Sequence, residues 1–263
     1  MEFQAFEYRI DQSVAHITLN QPARGNPIDE AFCTELKQLA IDCSENSAVR
    51  AVLIDARGKN FSVGGDLKTF TRDRSQLPRL TKAMTAELNS GVARFARLDA
   101  PVVIAVHGLV TGGAIAFAAA ADFAIATRDT RFYAAFTGIG FSCDCGTSYF
   151  LPRRVGSGRA LDFLLRNRLW SAEAAQTYGL VNELVDDEPA LQTASLKLAH
   201  ELARGPTRAF GEIKQLIQSS FEQALEAQLE DEAQAIARCT RTDDAWGALN
   251  AVLAKQKAEF NGR

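Results

Sequence analysis

The sequence has no excess of charge of one sign and no long hydrophobic run. Its 29 Lys and Arg residues nearly balance 32 Asp and Glu residues, which gives a net charge of −3, and the cations are spread along the chain. Nucleic-acid binders carry a clustered basic face, so this class is excluded. The apolar runs are too short to span a bilayer. The first four residues show neither the basic region nor the apolar core of a signal peptide, so we expect a cytoplasmic protein without a membrane partner.

Clustered metal ligands are also lacking. The chain has three histidines and an odd number of cysteines, at positions 33, 43, 143, 145 and 239. Without a leader segment, these cysteines are expected to be reduced thiols rather than a disulfide framework. Cys143 and Cys145 are one residue apart, whereas tetrahedral metal sites show paired ligands with wider spacing. We therefore expect no metal site, and we interpret His107, beside Gly108, as structural.

Two well-known catalytic motifs are absent. The sequence contains no G-x-S-x-G, which is typical of serine hydrolases, and no G-x-x-x-x-G-K-S/T, which is typical of NTPases. What it does contain is the composition of a globular protein with a full core, with 47% hydrophobic and 23% charged residues in 263. The functional signal must therefore come from patterns other than these motifs.

The N-terminal half alternates predicted strands and helices. Apolar runs at 6–10 and 14–19 predict a hairpin, and Asp29 begins a helix whose apolar residues follow helical spacing. Runs at 51–54 and 102–106 predict buried strands. Together they predict an α/β core.

The remaining segments predict a loop, a long helix, two further strands and a helical C-terminal half. The segment 61–76 contains glycine and polar residues and predicts a loop, and an apolar stripe from Leu80 to Leu98 predicts a helix that ends before Pro101. Further strands are predicted at 123–126 and 132–136. The predicted C-terminal helices cover 171–178, 188–203, 207–218, 221–238 and 243–257.

The glycine pair Gly112-Gly113 is the most informative feature of the chain. It follows the strand predicted at 102–106 and leads into a run of small residues, 114–121, that predicts a buried helix. The first backbone N–H groups of a helix have no partner within the helix, and the helix dipole is positive there. Such a position can hold an anion, either a phosphate or the oxyanion of a polarised carbonyl.

A second glycine pair, Gly64-Gly65, follows the strand predicted at 51–54 in the same way. Two strands of one sheet would bring Gly65 and Gly113 together. Two converging N–H groups are what a thioester or ester oxygen needs when it becomes an enolate or a tetrahedral oxyanion. Taken singly, each pair is better explained as a turn that binds nothing.

Several stretches together resemble the crotonase superfamily, also called the enoyl-CoA hydratase/isomerase family. The resemblance spans roughly residues 10 to 260, with the stretches in the family's order and spacing. These stretches are Leu19 to Pro22 with Asn26-Pro27, Gly58 to Leu67, Pro101 to Gly113, Leu151 to Gly156, and Ser171 to Ala175 with Tyr178 to Val181.

This resemblance implies acyl-CoA thioester substrates, no cofactor beyond their coenzyme A moiety, and a homotrimer or a dimer of trimers. It implies a ββα spiral core over 1–200 for acyl-CoA binding and catalysis, and a helical region over 201–263 that serves oligomerisation and completes the CoA site. It assigns the N–H groups of Gly65 and Gly113 as an oxyanion hole. The acyl-CoA contacts it implies are Lys59, Ser62, Val63, Gly64, Asp66, Leu67, Gly112 and Lys255.

The catalytic carboxylates depart from the hydratase pattern. Hydratases of the family place one Glu three residues after the second oxyanion glycine and another in the β-turn segment that follows. Here these positions are Ala116 and Phe136, and neither side chain can transfer a proton. Addition of water across a double bond generally requires two positioned groups, so hydration by two glutamates is not expected.

One acidic residue, Asp144, remains in this region. It resembles the Asp of three other branches, namely dienoyl-CoA isomerases, ring-epoxide isomerases of phenylacetate degradation and 4-chlorobenzoyl-CoA dehalogenases. A single carboxylate can take a proton from one carbon and return it to another, which is isomerase chemistry. The alternative for Asp144 is a capping role for the helix that begins near Gly146, since Asp is a favoured N-cap residue.

Three other functions stay open. In a hydratase or hydrolase, Asp144 would activate water. In a catalytically lapsed acyl-CoA-binding protein, the losses at Ala116 and Phe136 would be the sign of inactivity. A dehalogenase is disfavoured, because Asn89 and Phe136 stand where that branch has a His and a Trp.

Overall fold

The computed structural model of the protein describes residues 3–262, which form nine strands in two sheets and eleven α-helices. The strands are β1 Phe6–Asp11, β2 Val14–Leu19, β3 Ala51–Ala56, β4 Val102–Val106, β5 Leu109–Thr111, β6 Phe123–Thr127, β7 Arg131–Tyr133, β8 Leu169–Ser171 and β9 Glu183–Val185. The helices are α1 Glu30–Glu45, α2 Leu67–Phe70, α3 Leu77–Ala96, α4 Ala114–Ala120, α5 Thr147–Val155, α6 Ser157–Leu165, α7 Ala172–Tyr178, α8 Glu188–Ala203, α9 Thr207–Ser219, α10 Leu225–Cys239 and α11 Asp243–Leu253.

The larger sheet has the strand order β1-β2-β3-β4-β6-β9. The predicted hairpin is confirmed: β1 and β2 pair antiparallel, and Gln12 and Ser13 between them both adopt positive φ angles, as a two-residue type I′ turn requires. The other strands are parallel, and β3 lies directly beside β4. Because both glycine pairs follow these neighbouring strands, the pairs emerge at the same edge of the sheet.

Both faces of the large sheet are covered, which explains its continuous apolar strands. Side chains alternate between faces along each strand. Val52 and Ile54 of β3 belong to the main core, which includes buried residues of α1 and α3. Leu53 and its neighbours on the opposite face pack with α8, where Leu191 and Ala199 are buried.

Strands β5, β7 and β8 form a second, smaller sheet, which the sequence did not predict. Its strand β5 pairs in parallel with β7, so that Thr111 lies opposite Tyr133. Directly after β5, the N–H of Gly112 donates to the Tyr133 carbonyl at 3.0 Å. This sheet therefore fixes where the chain turns into α4.

The α/β core with its helical C-terminal region is confirmed, with local corrections. The loop predicted at 61–76 contains the short helix α2, and the strand predicted at 132–136 pairs only as far as Tyr133. Helix α10 begins at Leu225 instead of 221, and α11 ends at Leu253 instead of 257. The division of the core at residue 200 stays a prediction, and α8 runs through that position.

Candidate active site

A cavity of about 810 Å³ lies between the two glycine loops, α3 and the segment that joins β7 to α5. Volumes of this order are typical of small-molecule sites. Both glycine pairs and Asp144 line the cavity. Much of the remaining wall is apolar and includes Phe70, Leu77, Met84, Leu88, Phe136 and Phe141.

The two glycine pairs lie side by side. Ser62 and Val110 form a parallel bridge, and the Thr111 N–H donates to the Ser62 carbonyl at 3.1 Å. At Gly64, φ is +83°, and a Cβ would lie 2.9 Å from the Thr111 carbonyl oxygen. Glycine is therefore required both by the backbone conformation and by the lack of space. A Cβ on Gly112 would lie 4.0 Å from the Gly64 Cα. The sequence therefore predicted this juxtaposition correctly.

The N–H groups of Gly65 and Gly113 have no acceptor among residues 3–262. Gly65 is fixed because Ile28 bonds on both sides of it, donating to the Gly64 carbonyl at 2.8 Å and accepting from the Asp66 N–H at 3.2 Å. Gly113 precedes α4 with helical φ and ψ. Unpaired donors in a cavity wall are suited to bind an oxygen that gains negative charge.

Helix α4, which carries Gly113 at its N-terminal end, is held at its other end by Arg154. The guanidinium donates to the carbonyl oxygens of Ala119, Ala121 and Asp122, at 3.2 Å to Ala119 and 3.3 Å to Asp122. These carbonyls would otherwise lack donors at the end of the helix. The arginine therefore helps to fix the axis along which Gly113 enters the cavity.

Asp144 lies next to the Gly113 turn. Its Oδ1 atom is 3.5 Å from the position that a Cβ on Gly113 would occupy. The residue is half-buried, and this burial raises the pKa of the Asp144 carboxyl, while a hydrogen bond from the Cys145 thiol at 3.1 Å acts in the opposite direction. A raised pKa is the property expected of a carboxylate that accepts and returns a proton.

The capping alternative for Asp144 is not what the structure shows. Helix α5 begins after Gly146, and no side chain caps it. It is the backbone carbonyl of Asp144, not its carboxylate, that accepts from the N–H and hydroxyl of Thr147, at 2.8 and 2.7 Å. The carboxylate is therefore not occupied by the helix end.

Asp144 is the one Asp or Glu in the cavity wall, within the part of the chain that the structure describes. Ala116 is completely buried in α4, and Phe136 presents an apolar ring to the cavity. Asn89, on α3, is exposed. The arrangement thus offers a single carboxylate beside two free amide donors.

Not every residue predicted to contact acyl-CoA lines the cavity. Val63 and Leu67 do, as do Gly64 and Gly112. Ser62 is buried and supports the loop, since its hydroxyl donates to the Asn26 carbonyl at 2.7 Å and accepts from the Gly64 N–H at 3.1 Å.

Asp66 also supports the loop and does not line the cavity. Its carboxylate caps α2 through the Lys68 N–H, accepts from the Thr69 hydroxyl at 2.7 Å and pairs with Arg24 at 2.9 Å. The assignment of Ser62 and Asp66 to acyl-CoA binding stays a prediction.

The two lysines lie outside the cavity wall. Lys59 is exposed on the turn after β3, and Lys255 is exposed just after α11 with a positive φ of 56°. His107 is buried, and its Nε2 atom lies 2.7 Å from the Gly58 carbonyl oxygen, which is the structural role predicted for it.

Cys33, Tyr133 and Cys145 are among the cavity-lining residues that the sequence reasoning did not assign to the site. Cys33 and Cys145 were judged only as disulfide or metal candidates. Among residues 3–262, no group of three or more His, Cys, Asp and Glu side chains could hold a metal ion, and no helix is both long and apolar enough to cross a membrane. The one signal in the sequence that could have placed Cys145 at the site was its position directly after Asp144.

Known proteins resemble this chain over almost its whole length. The profile of the enoyl-CoA hydratase/isomerase family matches residues 9–263. The chain is 32% identical over 255 residues to 1,2-epoxyphenylacetyl-CoA isomerase of Escherichia coli K12, covering 97% of each protein. It is 33% identical over 268 residues to trans-2-decenoyl-(acyl-carrier-protein) isomerase of Streptococcus mutans, covering 100% of both.

A solved structure from Mycobacterium abscessus, assigned to the enoyl-CoA hydratases/isomerases, superimposes with a TM-score of 0.92 at 36% identity, over 98% of this chain and 100% of that one. The strands and helices that surround the two glycine turns thus form the crotonase fold. The chain belongs to the enoyl-CoA hydratase/isomerase family, as the sequence resemblance predicted.

Proposed function

We propose that this protein is an acyl-CoA isomerase that shifts a carbon–carbon double bond, with Asp144 as the acid–base group. The proposal is carried by one observation: among residues 3–262, Asp144 is the one carboxylate that lines the cavity. Water addition generally needs two positioned groups, whereas proton return within one substrate needs one. The printed names of two relatives, both isomerases, are consistent with this choice.

The proposed reaction begins with the thioester oxygen at the Gly65 and Gly113 amides. The Asp144 carboxylate takes a proton from a carbon next to the thioester or conjugated to it, and the C–H electrons move into a dienolate whose oxygen carries the negative charge. The two amides stabilise that oxygen, and loss of one such donor typically lowers the rate about 10²- to 10³-fold. The same carboxyl returns the proton to another carbon, so the double bond moves and no atom is gained or lost.

The cavity wall supports a bulky apolar acyl group. Phe70, Phe136 and Phe141 line the same cavity as Met84 and Leu88. The coenzyme A moiety would lie outside this apolar pocket, where the exposed ammonium groups of Lys59 and Lys255 are the proposed phosphate contacts. No cofactor beyond that moiety is part of the proposed chemistry.

The proposed assembly is a homotrimer or a dimer of trimers. Its support is the set of large apolar side chains that the C-terminal helices leave exposed in one chain: Ile213, Ile217, Leu225, Leu229, Ile236, Trp246, Leu249, Val252 and Leu253. These side chains are concentrated on α9, α10 and α11, and large apolar surface left exposed in this way is typical of an interaction site.

Replacing Asp144 with Asn tests the proposal. Asn keeps the shape of the side chain but cannot take the proton, so we expect isomerisation of 3-enoyl- or dienoyl-CoA to fall by about 10²- to 10⁴-fold. Asp162→Asn on α6 makes the same change at an exposed carboxylate and should leave turnover unchanged. Unchanged isomerisation by Asp144→Asn would contradict the proposal.

Product analysis of the unaltered protein separates the competing functions. Solvent ¹⁸O in the product would identify water addition or hydrolysis in place of isomerisation. Calorimetric binding of acyl-CoA without conversion of any member of a thioester panel would identify a binding protein. Migration of the double bond without ¹⁸O uptake is the result that the proposed function requires.

A further inference from the structure

Cys145 is in direct contact with both parts of the candidate active site. Its thiol donates to Oδ1 of Asp144 at an Sγ–Oδ1 distance of 3.1 Å. The residue is 1% exposed, and its Sγ atom would lie 2.9 Å from a Cβ on Gly113. The thiol thus lies beneath the glycine turn and beside the carboxylate.

The backbone at Cys145 is in a conformation that disfavours a side chain. Its φ is 56°, in the left-handed region, and the next residue, Gly146, is also left-handed with φ of 81°. A non-glycine residue in this region costs about 1–2 kcal/mol relative to the right-handed conformation, and glycine adopts it readily. Backbone preference alone would favour glycine, so the side chain must be retained by what it contacts.

We propose that Cys145 is a positioning residue for Asp144. The S–H group of Cys145 holds Oδ1 of Asp144 and leaves Oδ2 of Asp144 directed to the substrate. The inference rests on the proposed function, because it assumes that the carboxylate of Asp144 transfers the proton. Within residues 3–262, Oδ1 accepts from the thiol, and no group of another residue donates to Oδ2. Since Oδ2 is also not enclosed by protein, it remains free for the chemistry.

The charge states of the pair support this arrangement. Burial raises the pKa of Cys145 well above that of a free thiol, so the group stays protonated and donates. A donor to the charged carboxylate favours the ionised form of Asp144 and opposes the effect of burial. The other titratable groups that line this cavity are Cys33 on α1, Lys82 on α3 and Tyr133 on β7.

The test is the pKa of Asp144 in variants of Cys145, measured by carboxyl ¹³C NMR titration with the Asp144 signal assigned by its loss in Asp144→Asn. Cys145→Ala removes the donor, so we expect the Asp144 midpoint to rise by about 0.5–1 pH unit, which is roughly a 3- to 10-fold change in the protonation equilibrium. Cys145→Ser restores a donor of similar size and should return the midpoint to the wild-type value or below it. The acid limb of the pH profile of kcat/KM should move with the NMR midpoint.

Two further variants separate positioning from packing. Cys143→Ala removes a thiol from the same loop that does not line the cavity, and it should leave the midpoint unchanged. Cys145→Gly relieves the left-handed strain, so its Tm should be no lower than that of Cys145→Ala while its Asp144 midpoint is raised equally. If Cys145 served only to stabilise the fold, a raised Asp144 midpoint would not be expected without a loss of Tm.

The outcomes are distinguishable from failure of the proposed function. An Asp144 midpoint that is unchanged in Cys145→Ala, or raised in Cys145→Ser, overturns the positioning role even if Asp144→Asn is inactive. If Cys145→Ala does not fold, the Cys145→Ser titration decides. Full isomerisation by Asp144→Asn overturns the proposed function, whatever the Cys145 variants show.

Discussion

At the scale of single residues, Asp144, the proposed acid–base group, occupies a position that lowers stability. Burial raises its pKa above the ordinary value of 3.8. The folded protein therefore binds this proton more tightly than the unfolded chain does, and stability falls as the pH rises through the window between 3.8 and the raised pKa. Above the raised pKa, the folded state contains a carboxylate that would be better solvated in the unfolded chain.

Asp144→Asn is accordingly expected to raise Tm at a pH above the raised pKa, because it removes a half-buried charge. The gain in Tm should shrink as the pH is lowered towards 3.8, where the wild-type carboxyl is also neutral. Calorimetric scans over this pH range measure the difference. Asp162→Asn should show the opposite sign, since hydrogen bonds from Arg168 and Arg166 lower the pKa of Asp162. A gain that is independent of pH would contradict the linkage to Asp144.

Glycine is required at position 113 because neighbouring side chains leave no space for a Cβ. The backbone there is helical and would accept any residue. A Cβ there would lie 2.9 Å from the Cys145 Sγ and 3.0 Å from the Ile28 Cδ1. Gly113→Ala should therefore displace the Asp144 loop and lower kcat/KM by about 10- to 100-fold, since a 1 Å misplacement of reacting groups has this order of effect. Gly158→Ala, where a Cβ meets nothing within 4 Å, is the matched control. Equal turnover of the two variants would contradict this account.

At the scale of elements, the loop from β3 to α2 is supported by buried polar contacts, in which Ser62 connects the Asn26 carbonyl to the Gly64 N–H. Ser62→Ala leaves both groups without this partner, so the free energy of unfolding should fall by about 1–3 kcal/mol. Chemical denaturation measures this change. Ser44→Ala, at an exposed serine on α1, should have little effect. Similar losses in both variants would show that the Ser62 contacts contribute nothing particular.

Much of the element pattern was predictable, and the failures share a cause. Helix α1 begins at the predicted N-cap Asp29, whose carboxylate accepts from the Phe32 N–H at 3.0 Å, because capping is a local interaction. The short strands β5 and β8 gave no periodic signal, since three residues are too few to show alternation. Their pairing with β7 is decided by contacts between distant segments.

At the scale of the whole molecule, the C-terminal helices expose an apolar surface that a single chain does not cover. Leu229 on α10 is 52% exposed and Trp246 on α11 is 69% exposed. Changing both to Glu should dissociate the proposed trimer or dimer of trimers into monomers, as measured by light scattering after size-exclusion chromatography. Gln234 is exposed and lies five residues after Leu229, so helical geometry places it on a different face of α10; Gln234→Glu should leave the assembly intact. A wild-type protein that is already monomeric would contradict the proposed assembly.

The sequence by itself determined the α/β core, the helical C-terminal region and the two glycine turns, because hydrophobic periodicity, caps and turn residues act over a few positions. Through the family resemblance it also singled out Asp144, because Ala116 and Phe136 stand where the hydratases place their glutamates. Only the tertiary structure decided that the Gly65 and Gly113 amides are unpaired, that Asp144 caps no helix and that Cys145 donates to its carboxylate. Hydrogen-bond partners and burial depend on segments far apart in the chain, so spacing along the sequence could not specify them.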